Sequence, residues 1–188
     1  AFVRRPQRWI RALSDASREG QVVTAAPNFA YEWAAQRGRP EPGEQIDLAN
    51  VVAIIGSEPV NMAAIEAFND AFAPHGLPVT AMKPSYGIAE ATLFIANIAP
   101  AARAGPTFFD GDLLAAGRAV RVPAGSRNAV AHVSCGMVAR SLRAVVVDPD
   151  TGEELADGSV GEFWLHGDNV ARGYWRRPEE TRLTFRAH

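Results

Sequence analysis

Two short runs of the sequence combine residue types that could bind a nucleotide. The first is Gly56-Ser57-Glu58-Pro59 and the second is Tyr86-Gly87-Ile88-Ala89-Glu90. Glycine lets the backbone approach a ligand closely, and the ring of Tyr86 offers a face on which a base can stack. The carboxylate of Glu90 supplies the hard oxygen that Mg²⁺ held on phosphates requires. Together the two runs predict a nucleotide site with Glu90 as its metal ligand and catalytic residue.

Both runs also have plainer interpretations. A Tyr-Gly pair is commonly an ordinary turn, and a glutamate at the start of a helix is commonly a favourable partner of the helix dipole. Residue type and spacing alone leave these alternatives open.

The elements around the two runs predict that they meet. Val51–Ile55 is an apolar run of strand length, typical of a buried parallel strand. Asn61 is expected to cap a helix that extends to about Ala73, and Val79–Met82 forms a second strand that runs into a loop over residues 83–87. In such a βαβ unit the carboxyl ends of neighbouring parallel strands lie at one edge of the sheet, where ligands bind.

The rest of the chain completes an α/β fold. Asn28 is placed as the N-cap of a helix that Gly38 ends. Further elements are a helix over Pro6–Ser17, a strand over Gln21–Thr24, an antiparallel unit of Val130–Ser134, Ala144–Val147 and Glu162–Leu165, and a helix over Pro178–Arg186. The predicted division is an α/β subdomain over 1–98, a linking or inserted segment over 99–128 and a β-rich portion over 129–188.

Composition excludes several classes of protein. The chain has 188 residues, a formal net charge of -2 and 47% hydrophobic residues, which indicates one globular domain or two small ones. The charge gives no support to nucleic-acid binding. Cys135 is the single cysteine, so intramolecular disulfides and metal-thiolate sites are excluded, and a cytoplasmic location is expected. No apolar stretch is long enough to be a transmembrane helix.

Other candidate residues have structural explanations. His132 and Cys135 stand three apart in a predicted strand and point to opposite faces, so a packed cysteine is favoured over a catalytic dyad. Phe29 is the aromatic residue assigned to a ligand pocket. The aromatic residues expected in the core are Phe68, Phe72, Phe94, Trp164 and Trp175.

The order of the motifs resembles that of adenylate-forming enzymes. The tyrosine-glycine run continues as Ala91-Thr92 and is followed by Gly161-Glu162-Phe163-Trp164-Leu165-His166-Gly167 and by Gly173-Tyr174-Trp175. Within that superfamily, Pro27-Asn28-Phe29-Ala30-Tyr31 and Lys83-Pro84-Ser85-Tyr86-Gly87 are similar to stretches typical of fatty acyl-AMP ligases of the mycobacterial type. The resemblance extends over nearly the whole chain, in the expected order and spacing.

This resemblance implies a role for each matching residue. Tyr86 would stack on adenine, the loop of Gly56, Ser57, Glu58 and Pro59 with Gly87, Ile88 and Ala89 would line the nucleotide, and Glu90 would hold Mg²⁺. Asn28, Phe29 and Ala30 would border the acyl tunnel. Ala89 stands where coenzyme A ligases usually carry threonine, which favours the acyl-AMP branch, and the segment inserted in that branch would lie within about residues 99–127.

The resemblance also implies a reaction and its partners. A long-chain fatty acid would be activated with ATP and Mg²⁺ to acyl-AMP, and the acyl group would pass to an acyl carrier protein of a polyketide synthase. The sequence holds no Ser/Thr/Gly-rich phosphate loop ending in lysine, no Tyr-x-Thr-Gly-Asp motif and no C-terminal domain. It is therefore expected to be an internal part of the N-terminal domain, inactive alone, with a parallel-sheet subdomain followed by a barrel-like segment.

Two other functions can be compared with this one. A non-catalytic module that binds adenylate or a carrier protein would use the same loops and would not need the missing motifs. An oxidoreductase with a dinucleotide-binding fold would need a Gly-x-Gly-x-x-Gly run, which the sequence does not contain.

Overall fold

The computed structural model describes residues 2–185 and divides them into two compact units. The first unit comprises the residues up to Tyr86 together with Asn97–Pro106 and Val133–Gly136. The second comprises Gly87–Ala96, Thr107–His132 and the residues from Met137 onward. The sequence-based division at residues 98 and 128 differs from this one, because the units follow spatial packing and each draws on separate stretches of chain.

The first unit is built on a parallel sheet flanked by three helices. The elements are α1 (Gln7–Glu19), β1 (Val22–Ala26), α2 (Asn28–Arg37), β2 (Val51–Ile55), α3 (Met62–Phe72) and β3 (Met82–Ile88), the last of which leads into the second unit. Strand β2 pairs in parallel with β1 from Val22↔Val51 to Ala26↔Ile55, and with β3 from Ala53↔Met82 to Ile55↔Pro84. The predicted βαβ unit is confirmed.

Aromatic side chains form the centre of this unit's core. Tyr31, Phe68 and Phe72 are fully buried. The rings of Tyr31 and Phe68 meet edge to face at 4.9 Å, and Trp9 packs 5.5 Å from Tyr31. The Tyr31 hydroxyl donates a hydrogen bond of 2.7 Å to the Ile54 carbonyl, which ties α2 to β2.

Two helix starts that look alike in the sequence differ in the structure. The Asn61 side chain accepts a hydrogen bond from the Ala63 N–H and caps α3, as predicted. The prediction that Asn28 caps α2 is wrong, since Pro27 occupies the N-cap position and no side chain caps the helix. The Asn28 side chain instead makes hydrogen bonds to residues beyond β2.

The segment predicted as a strand over Val79–Met82 and a loop over residues 83–87 is also different. The strand begins at Met82 and runs to Ile88, so the whole of that predicted loop is β structure. Pro84 lies within the strand, and its carbonyl accepts a hydrogen bond from the Ile98 N–H. Proline cannot donate in a sheet, which made a loop the natural expectation.

The second unit consists of short strands and helices. They are β4 (Leu93–Asn97, whose last residue belongs to the first unit), β5 (Pro106–Asp110), α4 (Gly111–Ala115), β6 (Ala129–Val133), β7 (Met137–Val138), β8 (Leu142–Val147), β9 (Glu162–Gly167) and α5 (Pro178–Phe185). Strands β8 and β9 form an antiparallel pair from Leu142↔Gly167 to Val147↔Glu162. Two strands of the predicted antiparallel unit, Ala144–Val147 and Glu162–Leu165, therefore pair as expected. The third, predicted over Val130–Ser134, does not join them, because β6 pairs with β5 in a separate two-stranded sheet. The predicted helix is α5, and its predicted end at Arg186 lies outside the described residues.

Two of the aromatic residues predicted in the core are exposed. Phe94 is 48% and Trp175 85% exposed. The Arg176 guanidinium lies 5.7 Å from the centroid of the Trp175 ring, a cation-π arrangement that suits an exposed indole. Within residues 2–185 no helix has the length and apolarity needed to cross a membrane.

Candidate active site

In the first unit the loop after β2 lies against β3. A Cβ atom on Gly56 would stand 2.5 Å from the Ser85 carbonyl oxygen, so the approach requires glycine. Ser57 adopts a positive φ of 67°, which is uncommon for a residue other than glycine. The structure therefore brings Gly56 beside the residue that precedes Tyr86, whose side chain is 40% exposed.

The first turn of α2 is hydrogen bonded to this same loop. The Asn28 backbone N–H donates to Glu58 Oε1 at 2.8 Å, and Asn28 Nδ2 donates to the Pro59 carbonyl at 2.9 Å. The Asn28 Oδ1 accepts from the Asn61 N–H at 2.9 Å. Asn28, assigned to the acyl tunnel by sequence, thus joins the loop assigned to the nucleotide.

The neighbours of Asn28 differ in exposure. Phe29 is 55% exposed and its ring stands 6.4 Å from that of Phe2. Ala30 is buried and lines a mainly apolar cavity of about 370 Å³ with Phe2, Trp9 and Ala26. An apolar ligand group could enter such a cavity, but the structure does not assign Phe29 to it.

In the second unit the chain turns tightly after β3. A Cβ atom on Gly87 would overlap the Leu93 carbonyl oxygen. A single 3₁₀ turn over Ala89–Ala91 follows, and Thr92 and Leu93 then take positive φ values of 51° and 76°. Gly87 therefore permits a close approach of backbone to backbone, while Ala89 is exposed and Ile88 half-buried.

A segment 80 residues further along holds this turn in place. The Ala171 N–H donates to the Glu90 carbonyl at 2.7 Å, and Asn169 Nδ2 donates to the Ala91 carbonyl at 2.7 Å. The Thr92 hydroxyl donates in return to the Asn169 carbonyl at 2.7 Å. The turn is thus fixed at Glu90 and at the two residues that follow it.

The Glu90 side chain is held as well. The Tyr174 hydroxyl donates a hydrogen bond to Glu90 Oε1. Tyr174 is itself anchored, because its N–H donates to the Thr181 hydroxyl at 2.9 Å and its ring packs edge to face against Phe185 at 5.2 Å. The carboxylate of Glu90 therefore has a defined orientation, which a partly exposed glutamate ordinarily lacks.

The same contacts set the charge state of Glu90. The hydrogen bond from Tyr174, together with one from its own backbone N–H, lowers the pKa of the Glu90 carboxyl below its ordinary value. Hydrogen bonding to the carboxylate correspondingly raises the pKa of the Tyr174 phenol. At neutral pH an ionised carboxylate thus faces a protonated hydroxyl.

Glu90 lines a cavity of about 740 Å³ in the second unit, together with side chains of β8 and β9. Among residues 2–185 there is no cluster of three or more His, Cys, Asp or Glu that could hold a metal alone. Mg²⁺ is commonly bound by one or two carboxylates plus substrate phosphates and water. A single, oriented, ionised carboxylate fits that donor set.

His132 and Cys135 have structural explanations. His132 is on β6 and packs against the ring of Phe109 at 5.9 Å. Cys135 follows the end of that strand, and burial raises the pKa of its thiol. A protonated, half-buried thiol is a poor nucleophile.

Comparison with known proteins places the chain in a family. The family model for AMP-binding enzymes matches residues 3–175. This chain belongs to the AMP-binding enzyme family. The two nucleotide runs and the Gly173-Tyr174-Trp175 motif all lie within the matched residues.

Relatives within the family are similar over nearly the whole chain. Long-chain-fatty-acid–AMP ligase FadD32 of Mycolicibacterium smegmatis is 48% identical over 98% of this chain and 30% of its own length. The 4-hydroxyphenylalkanoate adenylyltransferase of Mycobacterium tuberculosis is 42% identical over 100% of this chain and 30% of its own length. The recognised resemblance to fatty acyl-AMP ligases is confirmed, and the chain spans about a third of the length of these relatives.

A solved structure confirms the fold class. The fatty acyl-adenylate ligase of Legionella pneumophila, in complex with acyl adenylate and pyrophosphate, superposes with a TM-score of 0.86 at 32% identity. The match covers 96% of this chain and 31% of that one. The α/β fold predicted from the sequence is therefore that of adenylate-forming enzymes.

Sequence reasoning missed the residues that hold Glu90. Motif order places Tyr174 in the Gly173-Tyr174-Trp175 run but predicts no contact for it. No local pattern points to Asn169 or Ala171, since they lie about 80 residues from the turn they fix. The one sequence signal for this contact is that the Gly173-Tyr174-Trp175 motif follows the Tyr-Gly run in the family order. The order of motifs along the chain does not show that the two are in contact.

Proposed function

We propose that this chain is the nucleotide-binding part of an ATP-dependent ligase that activates a long-chain fatty acid to acyl-AMP. The observation that carries the proposal is the Glu90 carboxylate, ionised and oriented by Tyr174 in a chain of the AMP-binding family. The substrate class is supported by the 48% identity with a long-chain-fatty-acid–AMP ligase.

One group of residues binds the nucleotide, and Glu90 holds the metal. Tyr86 stacks on adenine, and the backbone of Gly56, Ser57, Glu58 and Pro59, with that of Gly87, Ile88 and Ala89, lines the nucleotide. Glu90 holds Mg²⁺, which when bound neutralises charge on the phosphates. Tyr174 keeps the Glu90 carboxylate in one orientation before any ligand arrives, so no reorganisation is needed at the reaction step.

The chemistry is a displacement at phosphorus. An oxygen of the fatty carboxylate forms a bond to the α-phosphorus of ATP while the bond from that phosphorus to the bridging oxygen of pyrophosphate breaks. The products are the mixed anhydride, acyl-AMP, and pyrophosphate. The protein contributes positioning and electrostatic stabilisation, as is general for transfers at phosphorus.

Fatty acid binding is proposed at Asn28, Phe29 and Ala30. Burying a chain of CH₂ groups contributes about 0.8 kcal/mol for each group, so a tunnel favours long chains. The acyl group then passes to the phosphopantetheine arm of an acyl carrier protein of a polyketide synthase, in the cytoplasm. The 188-residue chain alone is expected to be inactive, because it carries neither the lysine-ending phosphate loop nor the C-terminal lysine.

Product identification tests this function. The complete gene product is incubated with ATP, Mg²⁺ and palmitate, with or without coenzyme A, and the products are separated by mass spectrometry. We expect acyl-AMP and pyrophosphate, with no acyl-coenzyme A when coenzyme A is added. A parallel reaction with a 4-hydroxyphenylalkanoate tests the substrate class, and adenylation of that acid alone would reject the fatty acid. Binding of ATP without any adenylate would favour the non-catalytic module.

A further inference from the structure

Asn28 is hydrogen bonded to three residues of the segment that follows β2. Its N–H reaches the Glu58 carboxylate, its Nδ2 reaches the Pro59 carbonyl, and its Oδ1 receives the Asn61 N–H. We propose that Asn28 is a positioning residue for the nucleotide loop, the residues 56–59 that are proposed to line the nucleotide, in addition to its place beside the acyl group. This inference rests on the proposed function, since it assigns Asn28 to the ATP side of that site.

The Asn28 side chain makes these contacts and does not cap its own helix. Asparagine at the start of a helix ordinarily accepts a hydrogen bond from a backbone N–H of the first turn. At α2 no side chain does so, and the Glu58 carboxylate supplies an acceptor to the first helical N–H from outside the helix. A carboxylate at a helix N-terminus is favoured by the dipole, so helix and loop stabilise each other.

The loop requires such an external support. Ser57, Glu58 and Pro59 are exposed, so burial contributes little to fixing their conformation. Ser57 has a positive φ of 67°, a conformation that costs free energy and persists only when the surroundings hold it. Gly56 is fixed against Ser85 on one side, and Asn28 provides the fixed point on the other.

Asn61 extends this support into α3. Its N–H is bound by Asn28, while its own side chain caps α3 by accepting from the Ala63 N–H at 2.9 Å. The first turn of α2, the nucleotide loop and the first turn of α3 are thus joined through Asn28 and Asn61. Loss of the Asn28 side chain removes the contacts with Pro59 and Asn61, while the backbone contact with Glu58 and the α3 cap stay in place.

The experiment compares two residues of α2 in the complete gene product. The variants are Asn28→Ala and, as the matched control, Gln36→Ala, which removes an exposed polar side chain of the same helix. Equilibrium binding of ATP without fatty acid is measured by isothermal titration calorimetry, and KM values for ATP and for palmitate are measured separately. We expect Asn28→Ala to weaken ATP binding about five-fold to ten-fold, from the loss of two side-chain hydrogen bonds. Gln36→Ala should leave ATP binding within two-fold.

Two variants of Glu58, which accepts from the Asn28 N–H, test the same contact without changing residue 28. Glu58→Gln retains an acceptor for the Asn28 N–H and should weaken ATP binding less than Glu58→Ala does. Glu58→Ala removes that acceptor and should weaken ATP binding about three-fold, from one lost hydrogen bond. A purely structural role would lower thermal stability and activity toward both substrates together, without this split.

The outcomes separate the two proposals. If the wild type binds ATP and Asn28→Ala binds it equally well, the positioning role is wrong while the proposed function stands. If Asn28→Ala raises the KM for palmitate and leaves ATP binding unchanged, Asn28 serves only the acyl side and the inference is likewise overturned. If the folded wild type binds no ATP at all, the proposed function fails, and this inference fails with it.

Discussion

Removing the hydroxyl of Tyr31 should destabilise the first unit by an amount that depends on pH. The side chain is fully buried and its hydroxyl donates to the Ile54 carbonyl at 2.7 Å. Tyr31→Phe keeps the ring contacts with Phe68 and Trp9 but leaves a buried carbonyl without this donor. The expected loss in free energy of unfolding at pH 8 is about 1–2 kcal/mol.

The sign of the pH dependence follows from burial. Burial raises the pKa of Tyr31 above its ordinary value, so the folded state keeps the proton at a pH where the unfolded phenol, with a pKa near ~10, ionises. The stabilising contribution is complete below that unfolded pKa and is lost as the pH rises above it. At about pH 11, ionisation of the phenol lowers the free energy of the unfolded state by about 1.4 kcal/mol. The advantage of the wild type over Tyr31→Phe should therefore nearly vanish there.

The assay is urea unfolding of the chain at pH 8 and pH 11, followed by tryptophan fluorescence. Trp9 stands 5.5 Å from the Tyr31 ring and reports on this core. Equal stability of the two proteins at pH 8 would refute the hydrogen-bond argument. An unchanged difference between pH 8 and pH 11 would refute the argument from burial.

Three further predictions concern other contacts. Lys83→Met should lower the free energy of unfolding, measured by urea denaturation, by about 2–3 kcal/mol. The reason is that the buried ammonium donates to the carbonyls of residues 99, 100 and 102. A variant as stable as the wild type would contradict this. Gly87→Ala should sharply reduce soluble yield and thermal stability, because its Cβ would overlap the Leu93 carbonyl, whereas Gly105→Ala, whose Cβ meets nothing within 4 Å, should not; equal behaviour would count against the close approach. Tyr174→Phe should raise several-fold both the Mg²⁺ concentration for half-maximal pyrophosphate release and the dissociation constant of Mn²⁺ measured by electron paramagnetic resonance with ATP bound. Unaltered metal dependence would argue that Tyr174 does not orient Glu90.

Local patterns in the sequence predicted the elements that depend on local physics. The apolar run Val51–Ile55 is a buried strand with the predicted bounds, and Asn61 caps the helix that follows. Asn28 also stands at the start of a helix, but its side chain serves a different purpose, since its partners lie 31 and 33 residues away. Capping preference is a local quantity, and here a tertiary contact outweighs it.

The candidate site depends even more on contacts between residues that are far apart in the sequence. The Tyr86 and Glu90 runs could be found from residue type, motif order and resemblance, but the contact that orients Glu90 could not. Tyr174 lies 84 residues away, and its anchoring depends on Thr181 and Phe185 in a short terminal helix. Such contacts depend on how β4, β8 and β9 are arranged in space, which spacing along the chain does not specify.

The most direct test of the account is pyrophosphate release by the complete gene product and its Glu90→Ala variant. Both are assayed with ATP, Mg²⁺ and a long-chain fatty acid. Glu153→Ala removes an exposed carboxylate of the same unit and serves as the matched control. We expect acyl-AMP formation by the wild type and the control, and a loss of an order of magnitude or more in Glu90→Ala. Equal rates for Glu90→Ala and the control, or no adenylate from the folded wild type, would contradict it.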